Sequence, residues 1–202
     1  MIMRRVISLF FAVAVGCLSL SAQTTAADWI SALNRSLGSR YAWDISVAVD
    51  GTMLSGYYMV EGDSYYMRLG VMEVYSDGKV RYEINNDRCE VTEDRVNLKA
   101  VDLLTNPTRA FSFVENEYDV TIAEQSISGA TLRLVPRDNA LGFSQINLTL
   151  SKSGGRVVPQ KIVYSYDGDS VSIILLERNA TGVGLPVWSK DKYSSYDIVS
   201  FL

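Results

Sequence analysis

Between Gly56 and Val91 the chain reads GYYMVEGDSYYMRLGVMEVYSDGKVRYEINNDRCEV, five short β-rich runs divided by turn residues. Side chains of a strand alternate between two faces, so each hairpin turn must return apolar residues to the face its first arm used. A turn at Gly62-Asp63 sets Val60 against Tyr65 and Tyr58 against Met67, with Leu69 on the same side. Turning at Gly70-Val71 sets Met72 opposite Leu69 and Val74 opposite Met67. At Ser76-Asp77-Gly78-Lys79, a two-residue Asp-Gly turn would oppose Val74 to Arg81 and mix the faces. A three-residue loop, Ser76 to Gly78 with Gly78 left-handed in a bulge, opposes Val74 to Val80 and Met72 to Tyr82, and is the turn predicted. A four-residue loop from Asn85 to Arg88 then brings Cys89 and Val91 to the face of Tyr82 and Ile84. One predicted face therefore holds Tyr58, Val60, Tyr65, Met67, Leu69, Met72, Val74, Val80, Tyr82, Ile84, Cys89 and Val91. The other carries Glu61, Arg68, Glu73, Lys79, Arg81, Glu83 and Glu90. This is an antiparallel meander with one apolar side and one wet side.

The rest of the chain is also mostly β in pattern. Thr24 and Thr25 offer an N-cap, and Trp29, Ile30, Leu33 and Leu37 recur at helical spacing until Gly38, predicting an amphipathic helix. Trp43, Ile45, Val47 and Val49 then alternate with Asp44, Ser46, Ala48 and Asp50 in a first strand. Ala100 to Asn106 reads as a short helix stopped by Pro107, after which Phe111 and Phe113 are left exposed unless something covers them. Strand pattern resumes at Tyr118, Val120, Ile122, at Leu132, Leu134, and at Ile146, Leu148, Leu150. A last hairpin pairs Ile162, Tyr164, Tyr166 with Val171, Ile173, Leu175 around Asp167 to Ser170. About ten or eleven strands with two helical segments predict a mainly β fold. A large, strongly curved sheet or incomplete barrel suits that number better than a sandwich, and such a sheet encloses more space than its own side chains fill. The helical segments, through Trp29, Ile30, Leu33, Leu103 and Leu104, are the candidates to cover it.

Residues 23–202 are enough for one domain with a sizeable core. Residues 1–22 are read as a secretory signal peptide: two arginines, an apolar run from Val6 to Gly16, and small residues before Gln23. Its removal takes away two arginines and no acid, making the net charge more negative than −4, so nucleic acid and anionic membrane surfaces are not expected partners. Cys17 lies inside that signal in a poor match to a lipoprotein-processing site, which leaves lipid attachment there as the alternative to ordinary cleavage. Cys89 is then the lone thiol, read as a small core residue.

The chain has no histidine, which removes Ser-His and Cys-His nucleophiles, histidine metal sites and the commonest general base. Phosphate-loop, dinucleotide and nucleophile-elbow motifs do not occur, and most acids fall on polar strand positions or in turns. No enzyme, no metal and no cofactor is expected. The distinctive feature is that Met53, Met59, Met67 and Met72, every methionine outside the signal, lie between residues 53 and 72, with six of the 12 tyrosines in or next to that span. Flexible, polarizable methionines suit either an irregular core or a pliable apolar pocket.

Taken in order, the signal, helix, strand, GYYMVEGDSYYMRL, EVYSDGK followed by EVT, DLLTNP and the closing WSKDKYSSYDIV resemble the LolA-like family of periplasmic outer-membrane lipoprotein carriers. The resemblance implies an incomplete antiparallel barrel with a helical lid over an apolar cavity, in a monomeric periplasmic protein. It implies partners as well: acylated lipoproteins as cargo, an inner-membrane lipoprotein-releasing transporter, and an outer-membrane acceptor. Cavity candidates on this reading are Trp43, Ile45, Val47, Tyr58, Val60, Tyr65, Met67, Leu69, Met72, Val74, Val80, Tyr82 and Ile84. Family members commonly use an arginine near the S-D-G hairpin to hold the lid. Arg68 is the nearest match here, although the alternation points it outward. Two other readings stay open: a membrane-anchored acceptor or structural lipoprotein tethered at Cys17, and a periplasmic binder of another apolar small molecule.

Overall fold

The computed structural model describes residues 24–100, 102–109, 111, 114–138 and 142–202. The predicted signal peptide, with Cys17, and Phe113 lie outside the described residues. Helix α1 (Ala26–Leu37) starts at a capping box in which the Thr25 hydroxyl accepts the Asp28 amide while the Asp28 carboxylate accepts the Thr25 amide. Gly38, at φ +65°, ends it. The predicted apolar stripe is its buried face: Trp29, Ile30, Leu33 and Leu37.

Six strands follow: β1 (Arg40–Val49), β2 (Thr52–Glu61), β3 (Ser64–Leu69), β4 (Met72–Ser76), β5 (Val80–Asn85) and β6 (Glu90–Arg95). After an irregular stretch and the single turn α2 (Val114–Glu117) come β7 (Tyr118–Gln125), β8 (Gly129–Pro136), β9 (Gln145–Ser153), β10 (Arg156–Ser165) and β11 (Ser170–Glu177), then β12 (Asp197–Ser200). All twelve form one open sheet in the order β12-β6-β5-β4-β3-β2-β1-β11-β10-β9-β8-β7. Two meanders are thus joined where β11 pairs with β1, which sets Ile45 against Leu175 and Val47 against Ile173. The predicted β2–β3 and β3–β4 registers are present residue for residue: Val60 with Tyr65, Tyr58 with Met67, Met67 with Val74, and Leu69 with Met72. Between β2 and β3 the backbones come close at Gly56, where a Cβ would stand 1.8 Å from the Arg68 carbonyl oxygen.

At the next turn the expectation fails. Ser76 pairs with Arg81 and Val74 with Glu83, so the loop is the four residues Asp77 to Val80 and not the bulged three. Asp77 sets its length: one carboxylate oxygen accepts the Lys79 and Val80 amides, both at 2.8 Å, and wraps the chain further. Gly78 is left-handed, at φ +87°, and a Cβ there would meet Asp63 of the neighbouring turn at 2.8 Å. The apolar residues of the meander consequently change sides between β4 and β5. Val80, Tyr82 and Ile84 lie on the convex face with Tyr66 and Tyr75, while Arg81 and Glu83, paired at 2.5 Å, take the concave one. The following loop keeps its predicted four residues but lies one position later, at Asn86 to Cys89, because the Asn85 side chain accepts the Asp87 and Arg88 amides. Cys89 therefore ends a turn, exposed and at φ +51°, and is not a core residue.

The exchange of faces is stabilised by the C-terminal segment, which lays a second apolar layer on the convex side. Tyr66, Tyr75, Ile84, Val91 and Tyr193 are buried there, with Tyr82, Leu185, Trp188 and Tyr196 packed against them. Trp188 is stacked between Tyr82, at 4.4 Å, and Tyr193, at 5.1 Å. Beyond it β12 adds to β6 in parallel, a twelfth strand that alternation in the tail did not reveal.

The Glu73 carboxylate joins this layer to the sheet, accepting from the Tyr66, Tyr75 and Tyr193 hydroxyls at 2.8, 3.0 and 3.2 Å and from Lys192 at 3.3 Å. Burial raises its pKa, but the hydrogen bonds from Tyr66 and Tyr75, the Lys192 ammonium and Asn86 outweigh that and leave it below the ordinary 4.5. A carboxyl whose pKa is lowered by folding stabilises the fold above its unfolded pKa, and that stability is lost as pH falls through the folded value. Hydrogen exchange of the Asp197–Ser200 amides should accordingly speed up relative to β1 as pH drops below 4.5, and Glu73→Gln should flatten the profile. An unchanged pH profile in that variant would contradict the assignment.

Candidate functional site

The concave face of the sheet is apolar across nine strands, and α1 lies over it against β10 and β7. Trp43, Ile45 and Val47 of β1, Tyr58 and Val60 of β2, Tyr65 and Met67 of β3 and Val74 of β4 are buried in a single core with Trp29, Ile30, Leu33 and Leu103. Leu69 and Leu104 are half-buried against that core. Met72 is half-buried on the same face, opposite Leu69. Of the residues proposed from sequence to line a cavity, Val80, Tyr82 and Ile84 do not share this interior, since the β4–β5 turn sends them to the other side. Arg68 is exposed on the convex face, opposite Glu73, and points away from the cover. The far half of the interior comes from residues that sequence reasoning recognised as strand but not as site: Leu132, Leu134, Ile146, Leu148, Leu150, Ile162 and Ile173. Their alternation was the available signal.

The second cover is not the predicted helix. Asp102 accepts the Leu104 and Thr105 amides on one carboxylate oxygen, at 3.1 and 2.8 Å, which closes a single turn in place of a helix. Pro107 opens a short 3-10 turn, Pro107–Arg109, and does not end a helix as the sequence predicts. The resulting strap inserts Leu103, wholly buried, and Phe111, 3% exposed, into the core, so Phe111 is covered by the fold. Three tyrosines hold alternate residues of the strap. The Leu103 amide donates to the Tyr164 hydroxyl at 3.0 Å, Tyr65 donates to the Thr105 carbonyl at 3.2 Å, and Tyr41 donates to the Pro107 carbonyl at 2.9 Å. Burial raises the hydroxyl pKa of Tyr41 and Tyr164 far above the usual 10.0, so both stay protonated and hold the strap without charge. α1 is tied separately at its C-terminal end, where the Ser36 hydroxyl accepts the Val157 amide at 2.9 Å and Arg156 donates to the Ser36 carbonyl at 3.0 Å.

Where α1 ends and the strap passes, a cleft of about 270 Å³ opens between Leu37, Tyr41, Thr108 and Phe111. Sheet, helix and strap enclose a packed apolar core, and three neutral tyrosine hydrogen bonds to backbone atoms hold the strap to the sheet. Arg109 of the strap pairs with Glu117 of α2 at 3.2 Å and not with the sheet, so the strap can leave the sheet without stranding a charge. Among the described residues no cluster of three or more His, Cys, Asp or Glu side chains could hold a metal ion, and no helix is long and apolar enough to cross a membrane.

The architecture is an open, curved, mainly antiparallel sheet with a helix across an apolar concave face. It differs from the sequence expectation in having, among the described residues, twelve strands, one full helix, and a strap for the second cover. No protein-family model and no curated protein matches the chain. Among solved structures it is similar to an uncharacterized conserved protein from Thermus thermophilus, with a TM-score of 0.54 and 9% identity over 87% of this chain and 98% of that one. It is also similar to a LolA superfamily protein from Nitrosomonas europaea, with a TM-score of 0.38 and 9% identity over 84% of this chain and 97% of the other. An outer membrane lipoprotein-sorting protein domain from Vibrio parahaemolyticus gives 0.40 and 8% over 84% and 97%. The first of these likenesses, at 9% identity, is one of fold alone.

Proposed function

We propose that this protein is a periplasmic carrier that holds the acyl chains of lipoproteins in its apolar interior and ferries them from the inner to the outer membrane. The observation that carries the reading is the concave face itself, apolar from β1–β4 to β8–β11 and covered by α1 and the tyrosine-held strap. The order of motifs shared with LolA-like carriers supports the finer identification, with an inner-membrane transporter as loader and an outer-membrane acceptor as receiver. The energetics suit transport. Burying an acyl chain of roughly a dozen methylenes is worth about 10 kcal/mol at ~0.8 per methylene. Cargo held that well does not escape into water, yet a bilayer offers a similar gain and can receive it.

Native mass spectrometry of protein purified from the periplasm, after expression of the full precursor, tests the proposal. A mass beginning at Gln23 accompanied by a heavier species carrying a lipid or an acylated protein is the expected result. A mass beginning at a modified Cys17 would place the protein on a membrane and overturn the soluble carrier.

A further inference from the structure

Two of the buried polar atoms without a hydrogen-bond partner in the protein belong to neighbouring residues in the concave core. The Trp43 indole nitrogen and the Tyr58 hydroxyl belong to side chains 1% and 0% exposed, and neither is paired within the protein. Trp43 on β1 and Tyr58 on β2 are cross-strand partners, so both side chains rise from the same place on the sheet. Two further atoms lack a partner, the Trp29 indole nitrogen on α1 and Arg81 Nε on β5, but neither belongs to this cross-strand pair.

Buried polar groups in folded proteins nearly always find a partner, so two adjacent orphans need a reason. The hydroxyls around them are already used: Tyr41, Tyr65 and Tyr164 hold the strap. A chamber meant for bare hydrocarbon would be served as well by phenylalanine at both positions. An indole can only donate, and a hydroxyl can donate, so the group that completes the pair is an acceptor. Deep in an apolar core it must also be neutral, because an ionised carboxylate would need far more compensation than two donors offer. The carbonyl of an ester or amide meets both conditions.

The position fits as well. Tyr41, two residues before Trp43 on the same strand face, packs edge-on against Tyr58 at 6.2 Å and also lines the cleft at the end of α1. A chain drawn in through that cleft reaches the two donors just inside the mouth, where the linkage between hydrocarbon and headgroup would lie.

We propose that Trp43 and Tyr58 bind the linking carbonyl of an ester- or amide-linked acyl chain, which makes acyl lipids the ligands and excludes alkyl ethers and alkanes as equals. The inference rests on the proposed acyl-binding function. It is tested by competition binding with two ester probes, a dipalmitoylated lipopeptide and dipalmitoyl phosphatidylglycerol, each against its dihexadecyl ether analogue. The ester of whichever source is bound should win over its ether by roughly three- to tenfold, the range of one net hydrogen bond. Tyr58→Phe and Trp43→Phe should each shrink that preference, read within each variant as the ratio of ester to ether affinity, and the apo Tyr58→Phe protein should melt no lower than the wild type. Binding of ester and ether alike in the wild type, or an undiminished preference in Tyr58→Phe, overturns the carbonyl site alone. A lower melting temperature for Tyr58→Phe would reveal a partner within the protein and overturn it too. Failure of all four probes to bind overturns the acyl-carrier reading, and this inference with it.

Discussion

Leu33→Asp should cost about 4 kcal/mol and lift α1 off the sheet. Leu33 is fully buried on the helix face that also carries Trp29, Ile30 and Leu37. Truncating such a leucine already costs on the order of 2–5 kcal/mol, and an aspartate adds either an unpaired buried charge or the uptake of a proton. Apart from the Val157 amide, which donates to Ser36 of α1, the strands take their backbone hydrogen bonds from one another, so the variant should keep its β circular dichroism while its urea midpoint falls. An environment-sensitive dye should bind the uncovered concave face strongly. Asn34→Asp, one residue along and exposed, should change stability by no more than about 0.5 kcal/mol. Equal behaviour of the two variants would contradict the helix placement.

Trp188→Ala should release the tail while leaving the concave core intact. The indole is stacked on both faces, with ring planes within 9° of Tyr82 and 7° of Tyr193, and Tyr193 shares a 2.9 Å hydrogen bond with Tyr75. Its removal should cost about 2–3 kcal/mol, less than a fully buried tryptophan because the ring is only half-buried. β12 has four residues, all exposed, and cannot hold itself to β6 without the aromatic stack upstream. Hydrogen exchange should therefore show loss of protection at Asp197–Ser200 and along β6, with β1, β2, β8 and β9 unchanged. Protection lost evenly across the sheet would mean that the two apolar layers unfold as one unit.

These variants fall on parts of the fold that were legible in the sequence to different degrees. Helix α1 was legible because its stripe, cap and terminal glycine are all local signals that agree. The β2–β4 registers were legible because short turns left one pairing that kept Tyr58, Val60, Tyr65, Met67 and Val74 together. The loop after β4 was not, although the same alternation argument was applied. Alternation assumes that only one face is buried, and here the tail buries both. With an apolar layer on each side, the Asp77 carboxylate was free to choose the turn. Val80, Tyr82 and Ile84 were misplaced for that one reason. The strap escaped for another: Asp102 and Pro107 are ambiguous locally, and the tyrosines that hold it stand on β1, β3 and β10, far apart in the chain.

The sequence by itself determined the β meanders, the covering helix and the apolar character of the face between them, because strand and helix periodicities are set by neighbours a few residues away. Only the tertiary structure decided which face each later strand presents, what covers the convex side, and that Trp43 and Tyr58 are buried side by side without partners. Those outcomes depend on which distant segments come to lie against each surface of the sheet, and no local period records that.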